Sequence, residues 1–267
     1  MKIPFYWIDA FTSRAFGGNP AAVCPLESWL DDATLQRLAR QHNLSETAYF
    51  VRESDNHFQL RWFTPSVEVA LCGHATLAAA HVLFHELNLP GERVTFASQS
   101  GTLAVSREAN GRLCLDFPTR PAAPTAAPAK LAAALGRAPE FVGRSDLAWL
   151  VVYPTAGEVR ALTPDHAALG HFRPGRFIVT GPGDEPGLDF VSRFFAPDAG
   201  IAEDPVTGSA HCVLTPYWAE RTGKTTFHAK QVSARGGELW CALAGDRVQI
   251  AGQSVTYLRG QVEFQLG

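Results

Sequence analysis

An acidic turn that runs through proline into small residues carries the first chemical signal in the sequence. It reads Ala202-Glu203-Asp204-Pro205-Val206-Thr207-Gly208-Ser209-Ala210-His211. Pro205 fixes its own φ and disfavours helical geometry at Asp204, so the acid is predicted to lie in an extended turn before a helix that starts near Gly208. The N–H groups of Gly208 and Ser209 would then be free, and such a helix start is a favourable binding site for a carboxylate or a phosphate.

The same pattern occurs earlier in the chain, in the stretch Phe63-Thr64-Pro65-Ser66-Val67-Glu68-Val69-Ala70-Leu71-Cys72-Gly73-His74-Ala75-Thr76. The two stretches align with Gly73 on Gly208. Further identical pairs in this register are Ser98 with Ser233, Gly101 with Gly236, and Arg112 with Arg247. The register predicts two diverged halves of one architecture, which we assign to residues 1–118 and 119–267.

Each copy of the pattern is predicted to begin the central helix of its half. The first helix is expected over Gly73–Leu87, and its alanine-rich composition indicates burial on all sides with strands wrapped round it. The second is expected over Gly208–Arg221. Most other segments read as short strands, so the predicted fold class is α+β.

Two shorter helices are predicted from their capping residues. One should be capped by Asp31 or Asp32 and should end at Asn43. The other should be capped by Thr163, with Pro164 at its first helical position.

Composition narrows the possible partners of the chain. Its 267 residues carry 23 basic and 26 acidic side chains, a net charge of −3, which does not fit a nucleic-acid footprint or a polybasic membrane patch. The longest apolar run, 71–87, is too short and too interrupted for a membrane span. We therefore expect a small anionic metabolite as the partner.

Cysteine usage indicates a reducing compartment. The five cysteines are an odd number and contain no C-x-x-C pair, which argues against a disulfide framework and against a zinc knuckle. We expect a cytoplasmic protein.

Two helix starts lined by small residues suggest a cleft in which both helix dipoles face one anionic ligand. Its carboxylate could accept N–H bonds from Gly73 and His74, or from Gly208 and Ser209. The same residues are also compatible with a pair of ordinary capped helices.

Several motifs in a fixed order resemble those of the phenazine-biosynthesis PhzF-like isomerases, within the diaminopimelate-epimerase-like superfamily. The motifs are Asp9-Ala10-Phe11-Thr12, Gly18-Asn19-Pro20-Ala21-Ala22-Val23, Asn43-Leu44-Ser45-Glu46-Thr47-Ala48, Arg61-Trp62-Phe63-Thr64-Pro65, Cys72-Gly73-His74-Ala75-Thr76, Glu203 through Ala210, and Arg235-Gly236-Gly237. The resemblance runs nearly end to end. It implies two pseudo-symmetric halves, each a barrel-like sheet rolled round a central helix, with the active site between them, and a homodimer.

The resemblance also implies roles for particular residues. Glu46 corresponds to the acid/base that moves a proton between two carbons of a small unsaturated hydroxy or amino acid, of which a dihydro-hydroxyanthranilate-type ring is the best-known example. His74, Asp204 and Ser209 correspond to residues that bind and polarise the substrate. Such a proton transfer needs neither a metal nor an organic cofactor, so we expect none.

Each of these residues has a structural reading as well. Glu46 could be hydrogen-bonded to backbone, His74 could be a cap or core histidine, and Asp204 could only organise its turn. Ser209 could be a helix-terminal serine. Gly236 and Gly237 could form a hairpin turn, although they could also offer N–H donors to an anion.

Cys72 raises a second enzymatic possibility. Racemases of the superfamily use two opposed cysteines, one in each half, and the opposed position here is Thr207. Because a two-base racemisation would lack its second base, Cys72 is interpreted as a small buried residue rather than a nucleophile.

Two classes of hydrolase and a binding module are the alternative functions. A metal-dependent hydrolase using His74, His211 and Asp204 lacks ligand spacing, and a serine hydrolase lacks the second glycine of the G-x-S-x-G elbow. A module that binds an anionic metabolite without turning it over remains possible, since function resides in the site and not in the fold.

Overall fold

A computed structural model describes residues 1–265 of the chain, and residues 266–267, which end the predicted second half, lie outside them. The strands are β1 Lys2–Ala10, β2 Asn19–Leu26, β3 Glu46–Ser54, β4 His57–Phe63, β5 Glu68–Val69, β6 Arg93–Ser98, β7 Gly101–Arg107, β8 Leu113–Pro118, β9 Ala123–Pro124, β10 Phe141–Arg144, β11 Trp149–Val152, β12 Phe177–Pro182, β13 Phe190–Ala196, β14 Ile201–Asp204, β15 Thr226–Gln231, β16 Gly237–Ala244, β17 Arg247–Gly252 and β18 Ser254–Glu263.

The helices are α1 Asp32–His42, α2 Gly73–His81, α3 Leu131–Leu135, α4 Ala156–Ala161, α5 His166–Leu169 and α6 Gly208–Thr222. A π-helical segment, Val82–Glu86, follows α2, and a 3₁₀ turn covers Pro197–Ala199. None of the helices in the described part of the chain is both long and apolar enough to cross a lipid bilayer.

The chain divides into two compact units. Unit 1 contains Met1–Asp116 and the residues from Ala251 onward, and unit 2 is Phe117–Ile250. The break after Asp116 lies close to the predicted boundary at 118. The predicted second half includes the residues from Ala251 onward, but β18 pairs with β1 along its length and so belongs to unit 1. No internal repeat could reveal this pairing, since it joins the two ends of the chain.

Unit 1 is a sheet that wraps round α2. Along the sheet, β18 pairs with β1, β1 is antiparallel to β2, β2 is parallel to β3, and β3 is antiparallel to β4. The sheet continues through a parallel β4–β6 pair and an antiparallel β6–β7 pair. Helix α2 packs against β1, β2, β3, β7 and β18, so both ends of the strand order reach the same helix.

Unit 2 repeats this order of strand pairings. Strand β10 is antiparallel to β11, β11 is parallel to β12, and β12 is antiparallel to β13. A parallel β13–β15 pair and an antiparallel β15–β16 pair follow. Helix α6 lies against this sheet, with His211 and Trp218 stacked on Phe190 of β13. The predicted fold class, α+β with two pseudo-symmetric halves built round central helices, agrees with the structure.

Local chemistry sets the ends of the helices. Asp31 caps α1 by accepting the Thr34 N–H at 2.9 Å, and Asn43 ends it in the left-handed conformation, as predicted. The predicted Thr163 cap is wrong. Asp165 accepts the Ala168 N–H at 3.0 Å instead, so α5 starts only at His166.

The first central helix is shorter in α geometry than predicted. Every residue of α2 from His74 to His81 is buried, but the α-helical part ends at His81 and a π-helical segment carries the chain on to Glu86. A segment that is buried on every side has no periodic pattern of burial from which these two helical geometries could be distinguished.

A tight loop between β1 and β2 places the first residue of β2. Gly18 has φ +63°, and a Cβ atom on it would lie 2.1 Å from the Ala10 carbonyl oxygen. The Asp9 carboxylate also accepts the Phe16 N–H at 3.0 Å within this loop. Only glycine fits at position 18, and the next residue is the fully buried Asn19.

We therefore predict that Gly18→Ala lowers the free energy of unfolding by roughly 2–4 kcal/mol, from backbone strain plus a steric clash. Gly111→Ala is the matched control, because Gly111 has φ +84° and open space around its Cα. Gly111→Ala should lower the free energy of unfolding by only about 1 kcal/mol. Urea denaturation of both variants tests this, and equal losses would show that the close approach to Ala10 is unimportant.

Candidate active site

The Glu46 carboxylate lies at the beginning of β3. Glu46 pairs with Ala21 across the parallel β2–β3 ladder, so its backbone is fixed by the sheet. Its side chain is only 13% exposed. A carboxyl group in such a place is costly unless it has a charged or hydrogen-bonding neighbour.

That neighbour is His74, the second residue of α2. His74 Nε2 lies 3.1 Å from Glu46 Oε2, and the imidazole is buried. Among the described residues neither of these two atoms has an aligned hydrogen-bond partner. The contact is therefore mainly electrostatic.

A buried amide supports the other side of the imidazole. Asn19 Nδ2 lies 3.2 Å from His74 Nδ1, and Ser45 Oγ donates to Asn19 Oδ1 at 3.1 Å. Because an amide can flip to present either its oxygen or its NH₂ group, Asn19 can satisfy Nδ1 in either protonation state. Ser45 precedes Glu46, so one short segment contributes both a supporting hydroxyl and the carboxylate.

The electrostatics of this cluster favour a charged imidazole and a neutral thiol. Burial alone would lower the pKa of His74, but the adjacent Cys72 sulfur and the Glu46 carboxylate raise it well above its usual value. Burial, with the nearby Glu46 charge, raises the pKa of Cys72 to about 11. Near neutral pH, Cys72 is therefore a thiol rather than a thiolate.

Glu46, Cys72 and His74 also form a set of potential metal ligands, whose donor atoms lie within 4.8 Å of one another. However, the imidazole presents Nδ1 to Cys72 Sγ at 3.5 Å and Nε2 to Glu46 at 3.1 Å. A metal ion binds one nitrogen of a histidine, so the ring would have to move before one ion could contact all three residues. The arrangement suits a proton-transfer site better than a preformed metal centre.

In unit 2 the predicted acidic turn is present and leads into α6. Thr207 Oγ1 donates to Asp204 Oδ2 at 2.5 Å, and Thr207 is the N-cap residue of the helix. Gly208 and Ser209 form the first turn of α6. Gln231, at the end of β15, contacts both ends of the turn: its Nε2 donates to the Asp204 carbonyl at 2.7 Å, and its Oε1 accepts the Thr207 N–H at 2.8 Å.

The predicted glycine pair lies at the start of β16. Gly236 has φ +65°, and its N–H donates to the Ser233 carbonyl at 3.0 Å, with Ser233 Oγ at 3.1 Å. Gly237 opens the strand opposite Gln231. The Gly236 N–H is thus engaged inside the turn, which is the hairpin role that the sequence left open.

The structure groups the predicted residues within each unit. Glu46, Cys72, Gly73 and His74 meet at the start of α2, and Asp204, Gly208 and Ser209 meet at the start of α6. Sequence reasoning missed Asn19 and Gln231 as functional residues. Both are fully buried polar side chains. Asn19 could have been found from the sequence, because it lies within the motif Gly18-Asn19-Pro20. The sequence signal for Gln231 was weaker, since the residue is marked only as the last one of a strand.

A family model described as phenazine biosynthesis-like protein matches residues 8–260 of this chain. An uncharacterized isomerase of Pseudomonas aeruginosa is 53% identical over 264 residues, covering 99% of this chain and 100% of the relative. A phenazine biosynthesis-like domain-containing protein of Homo sapiens is 42% identical over 290 residues, covering 97% of this chain and 99% of the relative.

Solved structures show the same similarity. The crystal structure of a PhzF-family phenazine biosynthesis protein from Enterococcus faecalis is 43% identical, with a TM-score of 0.95, and the match covers 99% of this chain and 100% of that one. A hydroxyproline epimerase from Agrobacterium vitis, 11% identical with a TM-score of 0.60 over 98% of this chain and 92% of that one, shares the fold.

We predict that His74 is an imidazolium at pH 7, because Glu46 stabilises its charge. His81 and His211 are internal controls, since burial lowers the pKa of each to about 4 and leaves both neutral at pH 7. Imidazole ¹⁵N chemical shifts distinguish these forms. In Glu46→Gln the pKa of His74 should fall, and a neutral His74 at pH 7 in the unmodified protein would contradict the prediction.

The raised pKa also sets a pH window for stability. The folded pKa of His74 lies above the value of about 6.5 expected in the unfolded chain. The stabilisation from its charged form is therefore fully present below about pH 6.5 and is lost as the pH rises through the folded pKa.

We also predict that Cys72 resists alkylation at pH 7. Its raised pKa and its 7% exposure should make its reaction with iodoacetamide at least about 100-fold slower than that of free cysteine. Peptide mass spectrometry over a time course measures this rate. Modification as fast as that of free cysteine would instead indicate an activated thiol, as a racemase requires.

Proposed function

This chain belongs to the phenazine biosynthesis-like (PhzC-PhzF) protein family and is an isomerase, and we propose that Glu46 is the acid/base group of its reaction. The family resemblance inferred from the sequence motifs is confirmed by the match over residues 8–260. The proposed reaction moves a proton between two carbons of a small unsaturated hydroxy or amino carboxylic acid. A dihydro-hydroxyanthranilate-type compound is one candidate within this class.

The placement of the Glu46 carboxylate is the observation that supports this proposal most directly. The group is largely withdrawn from water and lies 3.1 Å from an imidazole whose pKa is raised. Proton transfer to and from carbon is slow unless the base and the substrate are held in the correct relative position. A carboxylate fixed at the start of a strand meets this requirement for the base.

The proposed step conserves both atoms and electrons. Glu46 takes a proton from one carbon, the C–H electron pair shifts into the conjugated system, and the resulting carboxylic acid returns the proton to a second carbon on the same face. Glu46 ends as a carboxylate, and nothing is oxidised or reduced. The reaction therefore involves no metal or organic cofactor in this proposal.

The remaining residues are proposed to bind the substrate. The His74 imidazolium would stabilise negative charge that develops when the proton leaves carbon. The N–H groups at Gly73 and Gly208, together with the Ser209 hydroxyl, would bind a carboxylate, since both helices begin at these residues. Asp204 would accept a hydrogen bond from a substrate hydroxyl or amine.

Two alternatives remain distinguishable from this proposal. A racemase or epimerase that uses Cys72 would need an activated thiol, whereas burial keeps Cys72 protonated near neutral pH. A protein that only binds an anionic metabolite would tolerate loss of the Glu46 carboxylate without any chemical consequence. Both can be separated from the isomerase in one assay.

We predict that the protein exchanges carbon-bound hydrogen of its substrate with D₂O and that Glu46→Gln lowers this exchange by about 100- to 10,000-fold. Glutamine has the same shape but cannot carry the proton. The assay is ¹H NMR in deuterated buffer with a panel of unsaturated, hydroxylated or aminated cyclic carboxylic acids. Glu53→Gln is the matched control, since Glu53 lies on the same strand at the surface and pairs with His57.

Each outcome has a defined meaning. Exchange that is lost in Glu46→Gln and kept in Glu53→Gln supports the proposed role. Exchange that persists in Glu46→Gln but disappears in Cys72→Ala would transfer the acid/base role to the thiol. Saturable binding of a panel member without exchange or isomerisation would favour the binding protein.

A further inference from the structure

We propose that Thr207 and Gln231 are positioning residues that hold the Asp204 carboxylate in its working orientation. No substrate-contacting role is assigned to either residue. The proposal deepens the function proposed above and rests on it, since it concerns how Asp204 is prepared to bind substrate. The contacts that support it all lie within unit 2.

The first contact joins Thr207 directly to the carboxylate. Thr207 Oγ1 donates to Asp204 Oδ2 at 2.5 Å. A threonine hydroxyl at an N-cap normally accepts an N–H from the first helical turn, but Thr207 makes no such side-chain cap to α6. Its hydroxyl is used instead to fix one oxygen of the preceding acid.

The second contact fixes the turn that connects these two residues. Gln231 donates from Nε2 to the Asp204 carbonyl at 2.7 Å and accepts the Thr207 N–H on Oε1 at 2.8 Å. Its Nε2 also lies 3.3 Å from Thr207 Oγ1, the oxygen that holds the carboxylate. One amide thus bridges both ends of the Asp204–Thr207 turn. Ser233 reinforces it by donating to the Pro205 carbonyl at 2.7 Å.

The position of Gln231 is unusual for an amide. The side chain is fully buried at the end of β15, between Ser192 of β13 and Gly237 of β16 in register. In the alignment that places Gly73 on Gly208, the residue of the first half that matches Gln231 is Phe96, a fully buried core residue. A polar amide in such a place is costly unless its hydrogen bonds are made, and those of Gln231 go to this turn.

The N-cap residues of the two central helices differ in type and in the group that each one contacts. Cys72 is the N-cap of α2, and Thr207, its counterpart in the repeat, is the N-cap of α6. Cys72 contacts the imidazole of His74, whereas Thr207 contacts a carboxylate and is itself held by Gln231. In the second half, therefore, the N-cap residue Thr207, itself held by Gln231, holds the carboxylate of Asp204.

A hydrogen bond to an ionised group contributes more than one between neutral groups, and it also fixes the direction of the carboxylate. Without the Thr207 hydroxyl, the Asp204 carboxylate loses the hydrogen bond that fixes its Oδ2, and substrate binding must then restore the lost order. We expect Thr207→Val, which keeps the shape but removes the hydroxyl, to lower kcat/KM for carbon-proton exchange by about 10- to 100-fold. Thr207→Ser, which keeps the hydroxyl, should retain most of the kcat/KM of the unmodified protein.

The experiment compares the unmodified protein with Thr207→Val, Thr207→Ser and Gln231→Met. Crystal structures at high resolution give the orientation of the Asp204 carboxylate, and thermal unfolding checks that each variant is folded. Kinetics of deuterium exchange give kcat and KM separately. The expected result is a rotated Asp204 carboxylate with reduced kcat/KM in Thr207→Val and in Gln231→Met, and a native orientation with near-native kinetics in Thr207→Ser.

The structural and kinetic readouts separate this inference from the proposed function. An Asp204 carboxylate that keeps its orientation in Thr207→Val overturns the inference, whether or not the enzyme has turnover. A rotated carboxylate with unchanged kcat/KM also overturns it, since the orientation would then have no role in the reaction. Absence of exchange in the unmodified protein would instead count against the proposed function and leave the crystallographic comparison to decide the inference.

Discussion

Burial of a helix on every side is the constraint on which the rest of this structure depends. Helix α2 is buried from His74 to His81, so its side chains must be small where strands approach closely, and the alanine-rich sequence provides this. A buried helix cannot leave the N–H groups of its first turn without partners, because water cannot reach them freely. Neither Cys72 nor Thr207 makes a side-chain cap at its helix start, and the N–H groups there are the ones proposed to bind the substrate carboxylate. Fold and site arise from the same requirement.

The two halves meet this requirement with different chemistry. In unit 1 the helix start carries His74 against the Glu46 carboxylate, and their opposite charges compensate for the burial of both groups. In unit 2 the acid precedes the helix, where the Thr207 hydroxyl donates to its carboxylate and the Gln231 amide donates to its backbone carbonyl. The first arrangement suits a proton that must move, since a coupled pair can change its charge. The second suits a group that should stay where it is.

The sequence allowed much of this organisation to be predicted, because repeats and caps are local signals. The match of Gly73 with Gly208 predicted two diverged halves of one architecture, and Asp31 and Asn43 marked a helix correctly. Pairing of β18 with β1 could not be predicted, since nothing local connects residues at opposite ends of the chain. The supporting residues were missed for a related reason. Asn19 and Gln231 act through partners distant in sequence, and neither lies at a helix start.

Burial of these two amides also explains why the site depends on the strands as much as on the helices. Asn19 begins β2 and Gln231 ends β15, so each is placed by a ladder of backbone hydrogen bonds rather than by a mobile loop. An amide in the core is tolerated only when its donors and acceptor are bonded. Asn19 meets this condition against the imidazole in one half, and Gln231 meets it against the acidic turn in the other. The sheets thus do more than enclose the central helices, because they determine which way the ionisable groups at the helix starts can point.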